Sequence, residues 1–187
     1  MRGRQGKEAR LTGLLVVNAV LASVFGLINP FLVIYVGRVS GGMDKLGIAF
    51  AITVLAQSFT AMFVGRYSDI FGRRPFLVGT SFVDAGLISL YAAASLPWHI
   101  YVLQGAVGVS SGVTSVVQNA LVGDLAREGA RGRTFGSFKA VVGLFSAVGL
   151  VLGGYVVKAL GFKTMLFIAS AMIVGTAAAL YFLLEGE

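Results

Sequence analysis

The chain has 187 residues, 57% of them hydrophobic and 12% charged, with no cysteine and a net charge of +7. A soluble domain of this size cannot hide that much apolar surface, so the composition points to a chain that crosses a bilayer several times. The lack of cysteine excludes disulfides, thiol chemistry and Cys-ligated metals. The basic residues sit in short segments between apolar runs rather than on an aromatic-studded stripe, which argues against a nucleic-acid partner.

Residues 1–10 are basic and polar, and an apolar run follows from Leu11 to about Val36. Val20-Leu21-Ala22 resembles a signal-peptide cleavage site, but the run continues well past it, as a first transmembrane helix does and a signal h-region does not. Further apolar runs at about 46–65, 75–96, 99–122, 134–157 and 164–184 are each long enough to span a bilayer. The expected fold class is all-α: a single polytopic domain, 1–187, with six transmembrane helices. Pro97 and Trp98 mark an interfacial turn, and His99 beside them is expected in water.

The charges orient this hairpin series. Arg2, Arg4, Lys7, Arg10, Arg66, Arg73, Arg74, Arg127, Arg131 and Arg133 fall on one side. Arg38, Lys45, Lys158 and Lys163 fall on the other, and Lys139 lies inside a helix. The positive-inside rule then puts both termini in the cytoplasm, with the plasma membrane as the expected location. A weak internal repeat accompanies this topology. Gly65-x3-Asp69-x2-Gly72-x-Arg74 recurs as Gly154-x3-Lys158-x2-Gly161-x-Lys163. Three helices separate the copies, so they face opposite sides, as in a 3+3 inverted repeat.

The segment Gly65-Arg66-Tyr67-Ser68-Asp69-Ile70-Phe71-Gly72-Arg73-Arg74-Pro75 is expected to be a short charged turn between the second and third crossings. It resembles the loop signature of the major facilitator superfamily, Gly-x-x-(small)-Asp-(basic)-x-Gly-(basic)-(basic), and departs from it at Ile70. Gly123-Asp124 followed by Arg131-Gly132-Arg133 is similar to the family's second cytoplasmic signature. Gln104-Gly105 matches the end of an Arg-x-x-Gln-Gly pattern in helix four, with Tyr101 in the arginine's place. Gly149-Leu150-x-x-Gly153-Gly154 looks like the family's antiporter motif, with leucine for proline. The likeness covers the whole chain and corresponds to one six-helix half of a fold that normally has twelve helices.

Several roles follow as expectations. A carboxylate held by guanidinium forks makes strong but breakable contacts. The resemblance accordingly implies a conformational latch at Gly65, Asp69, Gly72, Arg73, Arg74 and Asp124 that stabilises the outward-facing state. The plainer reading of these residues is turn-forming and topology.

In helix four, Gln104, Gly108, Ser111, Ser115 and Gln118 share a face by spacing. Asn18 and Asn29 of helix one, beside Pro30, repeat the pattern more sparsely. Such a stripe is either a packing seam or the wall of a substrate cavity. The resemblance favours the cavity for Asn18, Asn29, Gln104 and Gln118 and leaves Ser111 open. Asp84 falls mid-helix, where an ion costs about 2.5–3.5 kcal/mol, so it must be protonated, paired or facing water. It is a candidate proton carrier or a brace to another helix. Lys139 either snorkels to the surface, pairs with Asp84 or binds an anionic substrate. Gly149, Gly153 and Gly154 are expected at a tight helix contact.

These features suggest a membrane secondary transporter that moves a small solute by alternating access, with proton-coupled efflux of drug-like compounds as a finer expectation. The partners are then the bilayer, the solute, protons and a second six-helix half. The alternative is a non-transporting membrane subunit, or a fragment needing that second half. Enzymatic activity is not expected, because the Gly108-Val109-Ser110-Ser111 segment has no intrahelical histidine to activate a serine. No cofactor or metal is expected.

Overall fold

The computed structural model describes residues 2–126 and 129–183, with side chains from Leu11 to Phe182. The topology charges Arg2, Arg4, Lys7 and Arg10, together with Arg127, therefore lie outside the described side chains. Among the described residues there are six helices and no strand: α1 (Arg2–Ser40), α2 (Met43–Phe71), α3 (Arg74–Tyr91), α4 (Pro97–Leu125), α5 (Arg131–Leu160) and α6 (Phe162–Leu183). Five of them are long and apolar enough to cross a membrane. The sixth, α3, has 18 residues, or about 27 Å at 1.5 Å per residue, carries Asp84, and is packed between α4 and α6.

Helix ends depart from the apolar runs in two ways. The first two helices extend a turn or more beyond their runs, because charged residues stay helical where they leave the lipid. The clearest case is the charged segment Gly65–Pro75, expected as a turn. Gly65–Phe71 is instead the last part of α2, and only Gly72 and Arg73 separate it from α3. Helix three goes the other way, ending at Tyr91 rather than near residue 96. Ala92, Ala93 and Ala94 tighten into i→i+3 hydrogen bonds to Ser89, Leu90 and Tyr91. The Tyr35 hydroxyl donates to the Ala94 carbonyl at 2.6 Å, and Pro97 opens α4.

The principal contacts join α1 to α5, α2 to α4 and α3 to α6, with α4 also touching α3 and α1 also touching α6. The α1–α5 and α2–α4 contacts are built on glycine. A Cβ at Gly153 would lie 2.5 Å from the Leu27 carbonyl oxygen, and one at Gly149 would collide with the Ser23 backbone. In α4, a Cβ at Gly112 would lie 2.7 Å from the Gln57 carbonyl oxygen, and one at Gly108 would collide with Thr53. Close backbone approach replaces the hydrophobic effect as the adhesive inside lipid. Gly154 does not share this contact: it is exposed, and a Cβ there would meet only the Phe31 ring at 4.0 Å.

Two apolar clusters fill the bundle. One, around Ile28, Tyr91, Ile100 and Ile173, lies toward the α3–α4 turn. The other, around Leu14, Leu77, Leu121 and Leu180, lies toward the opposite, charged end. Hydroxyl bonds tie helices together at intermediate depth. Thr114 donates to Thr80 at 3.0 Å, Ser170 to the Ala85 carbonyl at 2.7 Å, and Ser23 to the Phe145 carbonyl at 3.1 Å. Each is worth about 0.6 kcal/mol in a membrane protein.

Candidate functional site

At the charged end, the α2–α3 corner depends on Gly72, whose φ of 82° lies in the left-handed region where a side chain is penalised. The corner places Arg73 against two acids. Its guanidinium donates to the Asp124 carboxylate and lies 3.6 Å from that of Asp69. The Arg73 side chain is 19% exposed, against 68% and 65% for Asp69 and Asp124.

The two acids sit at helix ends whose dipole disfavours their charge. Asp69 and Asp124 are in the last turns of α2 and α4, and Arg73 precedes the first turn of α3. Helix stability therefore does not explain the placement of the two acids, whereas pairing with Arg73 does. Arg66 is exposed and pairs with neither acid.

Arg74 belongs to a different contact. It donates to the Tyr181 carbonyl of α6 at 3.1 Å, and its guanidinium lies 4.3 Å over the Tyr181 ring. The first turn of α3 is thus tied to the last turns of α6 by a charge-assisted bond and a cation–π contact. Tyr181 was not legible as a partner, since a lone tyrosine near the end of an apolar run reads as an interfacial anchor.

Deeper in the bundle, α1, α3 and α4 enclose a cavity of about 80 Å³. Its polar groups are Asn29, Asp84 and Ser111, and its apolar wall includes Phe25, Ile88 and Val107. Asn29 precedes Pro30, which has no N–H to give the Gly26 carbonyl, yet α1 runs through it unbroken. Facing Asp84 is Ser110, a buried residue whose Oγ makes no hydrogen bond of normal geometry. The space suffices for a few waters and is far below the roughly 300–1,000 Å³ of a drug-sized pocket. In this conformation the site can hold water, a proton or a small cation beside a carboxyl group.

The α4 stripe divides among three neighbours. Gln104 is 3% exposed and does not line the cavity. Its Oε1 accepts from Tyr91 at 3.0 Å and Thr53 at 3.2 Å, while its Nε2 is buried without a partner. Ser111 faces the cavity. Gln118 Nε2 donates to Asn18 Oδ1 at 2.6 Å, and Asn18 Nδ2 donates to the Leu14 carbonyl at 2.9 Å. A period of 3.5 drifts by about 20° per heptad on a straight helix, so a stripe two heptads long passes from one neighbour to the next. Replacing Tyr91 with phenylalanine is expected to cost about 1 kcal/mol, read as a lower melting temperature in detergent micelles.

Lys139 is exposed on α5 and forms no ion pair with Asp84. His99, expected in water, is half-buried in the first turn of α4. Its ring stands edge-on to Trp98 at 4.2 Å, and its Nδ1 accepts from the Ser95 N–H at 3.3 Å.

A bundle of long apolar helices with glycine seams, a charged corner and a half-buried carboxyl group defines a multi-pass membrane protein. The family profile of the Major Facilitator Superfamily matches residues 14–187, and the chain belongs to that family. It is 32% identical over 146 residues to the class E tetracycline resistance protein of Escherichia coli, covering 75% of this chain and 35% of that one. It is 24% identical over 169 residues to the multidrug transporter protein MdtP of Bacillus subtilis (strain 168), covering 88% of this chain and 31% of that one. It is also 24% identical over 147 residues to the uncharacterized MFS-type transporter YitZ of the same organism, covering 79% of this chain and 89% of that one. The chain thus spans about a third of the first two relatives and most of the third.

Proposed function

We propose that the chain is a six-helix half of a secondary transporter that moves an amphipathic solute by alternating access and couples efflux of drug-like compounds to protons. The observation that carries this reading is the cavity between α1, α3 and α4 with Asp84 on its wall. A carboxyl group among apolar side chains is costly, and a coupling role gives that cost a purpose. Asp84 exchanges the proton, Asn29 and Ser111 hold the water that delivers it, and Lys139 snorkels to the surface. The relatives named for multidrug transport and tetracycline resistance support the solute class.

A 3+3 inverted repeat is part of the proposal. Exchanging α1 with α4, α2 with α5 and α3 with α6 turns the α1–α5 contact into α4–α2, and α3–α4 into α6–α1, and each pair is present. Gly72 and Gly161, at corresponding corners, have φ of 82° and 80° with the same ψ of 160°. The charged end faces the cytoplasm of a plasma-membrane protein, where Arg73, Asp69 and Asp124 act as the latch of the outward-facing state, with Gly65, Gly72 and Arg74 shaping its corner.

The second six-helix half is another copy or a separate segment, and it packs on α2 and α5. Only 11% of the apolar stretch of each is buried, and Phe59, Met62, Leu144 and Val148 stand exposed there. The same faces favour the second reading, a membrane subunit that assembles without transporting.

Flux of tetracycline or ethidium into proteoliposomes, with and without a pH gradient, separates these readings. Accumulation driven by the gradient is expected, and Asp84→Asn is expected to abolish the gradient dependence while Asp84→Glu keeps part of it. Flux indifferent to the gradient removes the antiporter assignment. No flux at any protein density, from folded protein, favours the subunit.

A further inference from the structure

At the opposite end of the bundle from Arg73, a groove of about 360 Å³ opens between α3 and α4, a volume within the usual range of small-molecule sites. Leu90 and Ala93 form one wall, Val102 and Leu103 the other, and Trp98 and His99 stand at its rim. Leu90, Trp98 and Val102 are exposed, so the groove opens onto an apolar outer surface of the bundle. It shares no lining residue with the Asp84 cavity.

The rim has chemistry of its own. Because His99 Nδ1 accepts from the Ser95 N–H, the neutral ring carries its proton on Nε2 and has a donor left to offer. The Trp98 indole supplies a second N–H, and indole rings favour headgroup depth. Donors thus stand above an apolar floor that carries no charged side chain.

We propose that this groove binds a single acyl chain of a glycerophospholipid from the adjoining leaflet, with the ester carbonyl or phosphate accepting from His99 and Trp98. The occupant follows from complementarity. A hydrocarbon tail matches the uncharged walls, and an acceptor-rich neck matches the two N–H groups at headgroup depth. An anionic solute would find no cation in the groove, and a cationic one no carboxylate.

Trp98 is the chain's one tryptophan, so its fluorescence reads the groove directly. A phosphatidylcholine with a dibrominated acyl chain is titrated into the delipidated full chain in detergent, and native mass spectrometry follows bound lipid. The expected result is saturable quenching with one lipid adduct, reversed by unbrominated phosphatidylcholine. Ala93→Phe and Val102→Phe, which fill the groove from opposite walls, are each expected to lose the saturable phase while helical circular dichroism is retained. Quenching that rises without saturation, equally in the parent and in whichever variant folds, overturns the proposal by reducing the contact to ordinary annular lipid. Relief of quenching by ethidium but not by unbrominated lipid also overturns it, because the groove would then belong to a transported compound.

Discussion

Gly153→Ala is expected to destabilise the protein by about 1–3 kcal/mol, whereas Gly154→Ala, one residue on, is expected to leave it unchanged or up to about 1 kcal/mol more stable. The two glycines look equivalent as a pair in the sequence, and the α1–α5 seam separates them. The Cβ of an alanine at 153 would lie 2.5 Å from the Leu27 carbonyl oxygen, and a backbone atom cannot swing aside as a side-chain tip can. The helices would have to part, weakening the Ser23 bond to the Phe145 carbonyl and the dispersion contacts along the seam. At 154 the new methyl meets only the Phe31 ring at 4.0 Å, and alanine is the better helix former. Gly149→Ala is expected to behave like Gly153→Ala, as are Gly108→Ala and Gly112→Ala in the α2–α4 seam. Denaturant or thermal unfolding in detergent micelles, followed by circular dichroism, measures all five. Equal stability at 153 and 154 would show that the seam is looser than this structure describes.

Family membership and the all-α, multi-pass class were legible because they rest on long-range pattern: apolar runs, short connections and a glycine-bracketed charged segment. Which glycine touches a neighbour was not legible, since that depends on helix rotation, and adjacent helical residues point about 100° apart. The limits of the charged corner are not legible in the sequence for a related reason. Hydropathy marks where lipid ends, while backbone hydrogen bonding marks where a helix ends, and at Gly65–Phe71 the two differ by two turns. By spacing alone, Gln104 shares a face with Ser111. Its partners Thr53 and Tyr91 lie on other helices, and a single hydroxyl inside an apolar run gives no sign of where it points. The Arg73 partnership with Asp69 and Asp124 was readable because the family signatures name those residues. The Arg74 contact with Tyr181 belongs to neither signature quoted for the charged end and emerged only from the fold.

In the proposed transporter, Arg73→Ala is expected to change the balance between its two conformations up to about fivefold, as the loss of about 1 kcal/mol would, while moving folding stability by no more than about 1 kcal/mol. The asymmetry follows from exposure. Asp69 and Asp124 are 68% and 65% exposed, so water and salt screen their pairing and little folding energy rests on it. Yet the cluster joins the ends of α2, α3 and α4, and whatever small energy it has is spent holding those ends together. The proposed latch needs bonds of this kind, since a deeply buried ion pair costs about 3–5 kcal/mol to break.

The chain has no cysteine, so a single Ser111→Cys probe in the α1–α3–α4 cavity can report the conformational balance through its alkylation rate. Arg73→Ala and Asp124→Ala are each expected to shift that rate up to about fivefold in the same direction, and the double variant no further, because both remove one contact. Exchanging the charges, Arg73→Asp with Asp124→Arg, is expected to restore it only in part, since Asp69 would then face a second acid at position 73. If each single variant leaves both the labelling rate and the flux unchanged in folded protein, the ion pair is only a topology marker and the latch is lost.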